Sequence, residues 1–312
     1  MIVEGKRSIS GTERKVDQMA ARLAEIYRAA ADALEEEARA YFEQFRKDEE
    51  RMKKNLDAGK ITEKQYQAWR QAEMASGERY RRLQRQFTER LANVNEDALA
   101  YINGEMPEVY ATNYNDIGHV TVDSVNGSLG MGMSFDLVDE ETVRILAAEQ
   151  PDLLPKKKLD KIKDAKWNRK KMQAEILQGI LIGEDIPTIA ARLRKVTDMN
   201  EVSAVRNART MVTSAQNRGR MEAMRRTSAM GIVQKKHWMS SDQPGRTRDW
   251  HMPGAFRSLT VDIDMPFHNE LGDIDYPGDP GAAPANVYNC RCTLSTEILG
   301  FIDPVTGEYR EV

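Results

Sequence analysis

Both cysteines of the chain, Cys290 and Cys292, lie in its last quarter, as do three of its four histidines, His237, His251 and His268. Cysteine thiolates and imidazole nitrogens are zinc ligands, and a C-x-C pair offers both sulfurs from one strand. His251, Cys290 and Cys292 are therefore the candidate ligand set for a structural zinc, with His237, Asp249 and His268 as further candidates. The spacing matches no recognised finger, where cysteines stand at C-x₂-C or wider. The reading preferred on spacing is that of two small thiols buried beneath loops. A disulfide between residues i and i+2 of an extended strand would close a strained ring, so reduced thiols are expected. Arg246, Arg248 and His251 form a second constellation, since arginine grips phosphate in two-pronged fashion and histidine titrates near neutrality. A nuclease would also need a cluster of metal-binding carboxylates or a matched histidine pair, and no such spacing occurs. The preferred role for these side chains is to hold loops by hydrogen bonds to carbonyls and Asp side chains.

The elements that must position these residues change character near Gly231. Before it the chain consists of long, charged, periodic stretches; after it come Arg246-Thr247-Arg248-Asp249-Trp250-His251 and Tyr276-Pro277-Gly278-Asp279-Pro280. Sequence so rich in Gly, Pro and Asp cannot continue a helix and predicts a turn-rich module. Its short strands are expected at Val233–Met239, near Leu259–Ile263 and at Asn286–Ser295, with a helix over 201–230 packed on them. The ordered series Arg209-Thr210, Ser214, Asn217, Gly231, Trp238, Arg246-Thr247-Arg248 with His251, Pro277-Gly278-Asp279 and Asn289-Cys290-Arg291-Cys292 resembles the phage Mu F-type minor head protein (head morphogenesis) family over residues 200–295. That family usually sets an acidic residue just before Arg-Thr-Arg, whereas here Gln243-Pro244-Gly245 separate Asp242 from Arg246. The resemblance implies a non-enzymatic minor capsid protein of a tailed phage or prophage. It further implies association with the portal protein, with major capsid or scaffold protein at the procapsid interior, and with packaged DNA. Localisation would be the host cytoplasm during assembly and then the virion. The alternative is an enzyme, nuclease-like or similar to the mono-ADP-ribosyltransferases through Ser295-Thr296-Glu297 and the arginines; no Glu-x-Glu accompanies that triplet.

Upstream, apolar residues at Val16, Met19, Leu23, Ile26, Ala30, Leu34, Ala38, Tyr41, Phe45 and Met52 predict one helix from Thr12 to Ala58, with a stutter at Ala30. Asp57-Ala58-Gly59-Lys60 stops it and Thr62-Glu63 opens a returning arm through Tyr66, Trp69, Tyr80, Leu83, Phe87, Leu91 and Tyr101. Its aromatic density exceeds what a two-helix seam hides, so either later helices complete a bundle core or the arm docks a partner. Asn103 to Pro107 is expected to end or kink the arm; residues 117–135, with glycines at 118, 127, 130 and 132, show little regular pattern, and 127–134 read as a mobile or partner-ordered loop. The fold class is α+β. Residues 1–115 are the helical hairpin arm, 116–155 a flexible Gly-rich connection with a short helix, 156–200 a helical segment, 201–300 the head-morphogenesis module and 301–312 a tail.

A net charge of −3 gives no global attraction to nucleic acid, so DNA contact must be local, weak and blind to sequence. The stretch Lys156 to Lys171 is the most basic, and Lys157, Lys161, Lys170 and Lys171 are the candidate contacts to DNA or an acidic partner. A second basic face is expected on Arg206, Arg209, Arg218, Arg220, Arg225 and Arg226. The longest apolar stretch falls far short of a membrane span and the first residues lack a signal-peptide pattern, so no membrane association is expected.

Overall fold

The computed structural model describes residues 1–75, 77–182, 184, 186–240 and 247–312. Among them the chain divides into two compact units, one of Met1–Ala20, Tyr101–Lys157 and Val205–Val312, the other of Ala21–Ala100 and Lys158–Ala204. The fold is α+β, long helices followed by short antiparallel strands. Helices α1 (Lys6–Asp57), α3 (Glu78–Leu129) and α6 (Ile186–Ala229) contribute residues to both units.

The unit of residues 21–100 and 158–204 is helical. It comprises parts of α1, α3 and α6 together with α2 (Glu63–Ala75) and α5 (Lys161–Leu181). Thr62 and Gln65 exchange side-chain to backbone bonds at the start of α2, a capping box that satisfies two otherwise orphan N–H groups. The core joins Leu34, Ala38, Phe42, Phe45, Tyr80, Phe87 and Leu91 to Met172, Ile176, Ile189 and Leu193. The aromatic stripe is thus covered by α5 and α6, the first of the two arrangements expected for it. The seam on α1 runs through Met19, Leu23, Tyr27, Leu34, Ala38, Phe42 and Phe45. Tyr27 and Phe42, rather than Ile26 and Tyr41, point inward, because repeated four-residue steps carry the buried stripe one position along a straight helix.

A polar network crosses this core. The Tyr27 hydroxyl donates to Asn95 Oδ1 at 2.6 Å; Asn95 Nδ2 donates to Asp164 (2.8 Å) and Asn200 Oδ1 (2.9 Å); Asn200 donates to Asn168 Oδ1 at 2.8 Å. Burial raises the Asp164 carboxyl above its ordinary value. Thr197-Asp198-Met199-Asn200 therefore does not interrupt the helix, as its sequence suggests, and α6 is continuous where two helices were expected. Of the polar side chains in this stretch Asn200 joins the network inside the bundle, while Thr197 is buried without a hydrogen-bond partner among the described residues and Asp198 is exposed.

The other unit holds the strands. A five-stranded antiparallel sheet has the order β1-β6-β2-β3, with β7 also paired to β6. Here β1 is Ile2–Val3, β2 Ile232–Met239, β3 Thr260–Asp262, β6 Thr293–Ile302 and β7 Tyr309–Glu311; β4 (Phe267–Asn269) and β5 (Gly272–Ile274) form a separate hairpin. The register sets Trp238 opposite Leu294 and His237 opposite Ser295. Asn286, expected in a strand, lies instead in the one-turn helix α7 (Pro284–Val287).

Two further expectations fail in this unit for identifiable reasons. Pro107 lies inside α3, which neither ends nor breaks there. The supposed mobile loop is helical to Leu129, and Gly118 is a slot for an aromatic ring, since a β-carbon there would stand 2.2 Å from Phe135. The chain that follows is pinned by asparagines of α3. Asn115 gives and receives one bond each with the backbone of Val138 (2.7 and 2.9 Å), and Asn126 does the same with Met133 (2.8 and 2.9 Å). Asn103 pairs likewise with Lys157. Each amide acts as a one-residue strand partner. A short helix α4 (Glu140–Glu149) is capped by Asp139, whose carboxylate accepts from the Thr142 N–H.

Arg220 ties this unit together. It is fully buried and donates to the carbonyls of Glu4, Gly5 and Leu294, to the Ser8 hydroxyl and to Asn113 Oδ1. Burial lowers its pKa to about 10. It cannot belong to the basic outer face expected of α6.

Candidate metal centre

The site lies where α6, the start of β6, the end of β2 and the turn Asp249–His251 meet. Gly278 has φ +84° and a β-carbon there would lie 2.7 Å from the Ser214 nitrogen, so only glycine lets the Tyr276–Asp279 turn reach α6. Asn217, fully buried on α6, closes the joint. Its Nδ2 donates to the carbonyls of Pro277 (3.0 Å) and Cys292 (3.2 Å), and its Oδ1 accepts from the Leu294 N–H at 2.8 Å. Thr213 donates to the Cys290 carbonyl at 2.8 Å. Asn289, at φ 57°, turns the chain into the Cys-Arg-Cys segment, its N–H bound to Thr210 and its side chain to Arg209. Asp279 accepts from the N–H groups of Asp275 and Gly281 and so fixes the preceding turn.

Against this frame His251, Cys290 and Cys292 converge, with ligand atoms all within 4.8 Å of one another. They are 2, 3 and 5% exposed. Nδ1 of His251 stands 3.5 Å from the Cys290 sulfur and 3.7 Å from that of Cys292. The two thiols do not ionise independently: the first proton leaves more readily because the neighbouring sulfur and His251 stabilise the thiolate, and the second is held because a like charge would be buried beside it. The indole N–H of Trp238 is buried without an oxygen or nitrogen partner and favours the Cys292 thiolate. Trp238 also packs against His251, Phe256 and Phe267 at ring separations of 5.2, 4.7 and 5.2 Å.

The tautomer of His251 can be traced from backbone groups whose polarity is not in question. The Leu271 N–H needs an acceptor, which makes the facing atom of Asn269 its carbonyl oxygen (2.9 Å). Asn269 then donates to the Trp250 carbonyl and to Asn286 Oδ1, both at 3.0 Å. The Asn286 oxygen also faces Nε2 of His251 at 3.3 Å. An oxygen there requires Nε2 to carry a proton, so in the neutral ring Nδ1 is the nitrogen that presents a lone pair to the two sulfurs.

The remaining predicted residues have separate places. Arg246, like Asp242, lies outside the described residues. Arg248 donates to the carbonyls of Ala285 and Tyr288, the loop-holding role expected of it. Arg291 turns to the surface, lining a cleft with Arg209 and Asp17. His237 bonds Thr260 and His268 pairs with Asp273, so neither joins the cluster, and Asp249 is not part of it. Ser295 and Thr296 are fully buried in β6, Thr296 bonding Gln234, and of this triplet only Glu297 is partly exposed. Among the lysines, Lys157 donates to Asn207 at 2.5 Å and lies 5.8 Å from the Tyr288 ring, and burial lowers its pKa. Lys161 pairs with Glu96 at 2.8 Å, Lys171 lies 5.6 Å from the Trp167 ring, and Lys170 is exposed. Arg225 and Arg226 are likewise paired, with Glu222 and Asp264 and with Asp136. Sequence reading missed Asn286 and Asn269, since a single Asn in a turn carries no signal of its partner.

Residues 170–295 match the family described as phage Mu protein F like protein, a span that starts earlier than the residues carrying the resemblance in sequence. No curated protein and no solved structure gives a significant match. No described helix is long and apolar enough to cross a membrane.

Proposed function

We propose that this chain, whose residues 170–295 match the family described as phage Mu protein F like protein, is a minor head protein acting in head morphogenesis of a tailed phage or prophage. The family match carries the reading. The site supports it, because the residues of the ordered motif are spent on joining elements: Asn217, Gly278, Arg248 and Asn289 hold turns to α6. His251 and both cysteines are buried, which favours a structural over a catalytic role. On this reading the protein works at the procapsid interior with portal and capsid or scaffold protein, without turnover, and reaches the virion. Contact with packaged DNA would be weak and electrostatic, resting on Lys170 and its exposed neighbours more than on Lys157 and Lys161, which are already engaged.

The test is co-expression with the portal and scaffold proteins encoded by the same phage genome. The expected outcome is a complex that survives gel filtration, and the chain present at low copy in purified heads. Heads that assemble and package normally without it would sink the proposal. Any DNA binding should weaken with salt at a slope of about −0.9 per phosphate contact. Replacing Lys170 and Lys171 by Gln should flatten that slope, and a salt-insensitive complex would contradict the electrostatic account.

A further inference from the structure

We propose that His251, Cys290 and Cys292 bind one zinc ion that fastens the start of β6 to the loop after β2. Three independent observations carry this. The first is distance. With Zn–S near 2.3 Å and Zn–N near 2.0–2.1 Å in a tetrahedron, the sulfur-to-nitrogen separation should be about 3.6 Å. The observed separations are 3.5 and 3.7 Å. The second is proton accounting. Nδ1 presents one lone pair to two sulfurs, and a single lone pair accepts one S–H, which leaves the other thiol only the neighbouring sulfur, a weak acceptor, in a buried site. A divalent cation resolves this: it takes the lone pair and both thiolates, and the two thiol protons pass to solvent. The third is the surrounding shell. Nε2–H bound to an amide oxygen that is itself held by Asn269 is the outer support that ligating histidines regularly have. The buried Trp238 N–H, otherwise without a partner, supplies a donor to a metal-bound thiolate.

Sulfur and imidazole donors in this number select zinc over magnesium or calcium, which take oxygen. Among the described residues no fourth His, Cys, Asp or Glu joins the three. A tetrahedral ion held by these three ligands would complete its coordination with a water molecule. Burial of all three ligands leaves no room for a substrate, so the ion would be a fastener. It would reinforce the joint that Asn217 and Thr213 make from the α6 side.

The experiment uses the full chain, purified under reducing conditions with any affinity tag removed. Elemental analysis should find about one zinc per chain, and cobalt exchanged into the site should give the intense thiolate-to-metal absorption and strong visible bands of a tetrahedral centre. Cys290→Ser with Cys292→Ser should abolish both signals. Asn286→Leu serves as a second variant should the first fail to fold: it keeps all ligands and should weaken zinc about 10–100-fold in competition with a chelator. Unaltered wild-type protein that contains no zinc and takes up neither zinc nor cobalt would overturn the proposal, whatever the variants do. Zinc held equally well by the double serine variant would overturn the ligand assignment.

Discussion

At the scale of single residues, the buried charge of Lys236 makes stability depend on pH in a defined direction. Its ammonium donates to the Asp275 carbonyl at 2.9 Å and lies 5.2 Å from the Phe267 ring. Burial lowers its pKa to about 8; the charges of Asp275, Asp264 and Asp279 oppose that shift and Arg225 adds to it. Between pH 8 and the ordinary lysine value of 10.5 the unfolded chain keeps a proton that the folded chain has released. The Lys236 contribution to stability should therefore rise with pH across that window. Buried tyrosines with raised pKa values, such as Tyr27, Tyr110 and Tyr276, act in the opposite direction, so the measure is the difference between proteins: urea midpoints at the two ends should show wild type gaining on Lys236→Met as pH rises, and parallel pH profiles would contradict it. Gly278→Ala is the second residue-scale prediction. Its positive φ and the 2.7 Å approach to Ser214 mean a loss of roughly 1–3 kcal/mol or more, read from the same denaturation curves. The cluster of His251, Cys290 and Cys292 was visible in sequence because Cys and His are scarce in this chain. Its orientation was not, because that depends on Asn269 and Asn286, whose partners are set by folding alone.

At the scale of elements, the helices could be read from periodicity and their interruptions could not. In sequence Gly118 and the Asn103–Pro107 stretch suggest interruptions, yet within α3 Gly118 admits Phe135, and Asn103, with Asn115 and Asn126, clamps passing backbone. The same residue types do break helices when solvent satisfies them; here tertiary partners do so instead. The aromatic residues were rightly seen as too many for two helices, since a third and a fourth helix cover them. Asn115→Ala removes both bonds to Val138 and should destabilise the protein by about 1–2 kcal/mol. Asn115→Asp keeps the acceptor but sets a carboxylate oxygen against the Val138 carbonyl, so it should cost at least as much. Equal stability of wild type and the alanine variant would show that the clamp contributes nothing.

At the scale of the whole molecule, the unit that holds the strands is assembled from three separated stretches of chain. Ile2 and Val3 pair with Glu297 and Thr296, and Arg220 draws its acceptors from the first residues, from α3 and from β6. A fragment of residues 196–312 would leave that guanidinium without Glu4, Gly5, Ser8 and Asn113. We expect no cooperative unfolding transition from it, whereas the full chain should show one. Calorimetry decides, and a sharp transition in the fragment would mean that the other segments merely decorate a self-sufficient module. Composition could not reveal this dependence, because the partners of Arg220 lie up to 216 positions away.

The asparagine clamps also bear on how the molecule ages. Asn103 and Asn126 are each followed by glycine, the neighbour that most readily lets its own nitrogen attack an asparagine side chain, expel ammonia and leave aspartate or isoaspartate. Helical backbone and two hydrogen bonds per amide hold both side chains out of that reaction. The fold therefore shields the two amides that help secure it. Asn126 stands close to the end of α3 at Leu129, where fraying would expose it first. Slow conversion there would remove the donor half of its clamp on Met133 and record, as a chemical clock, how long that helix end has stayed closed.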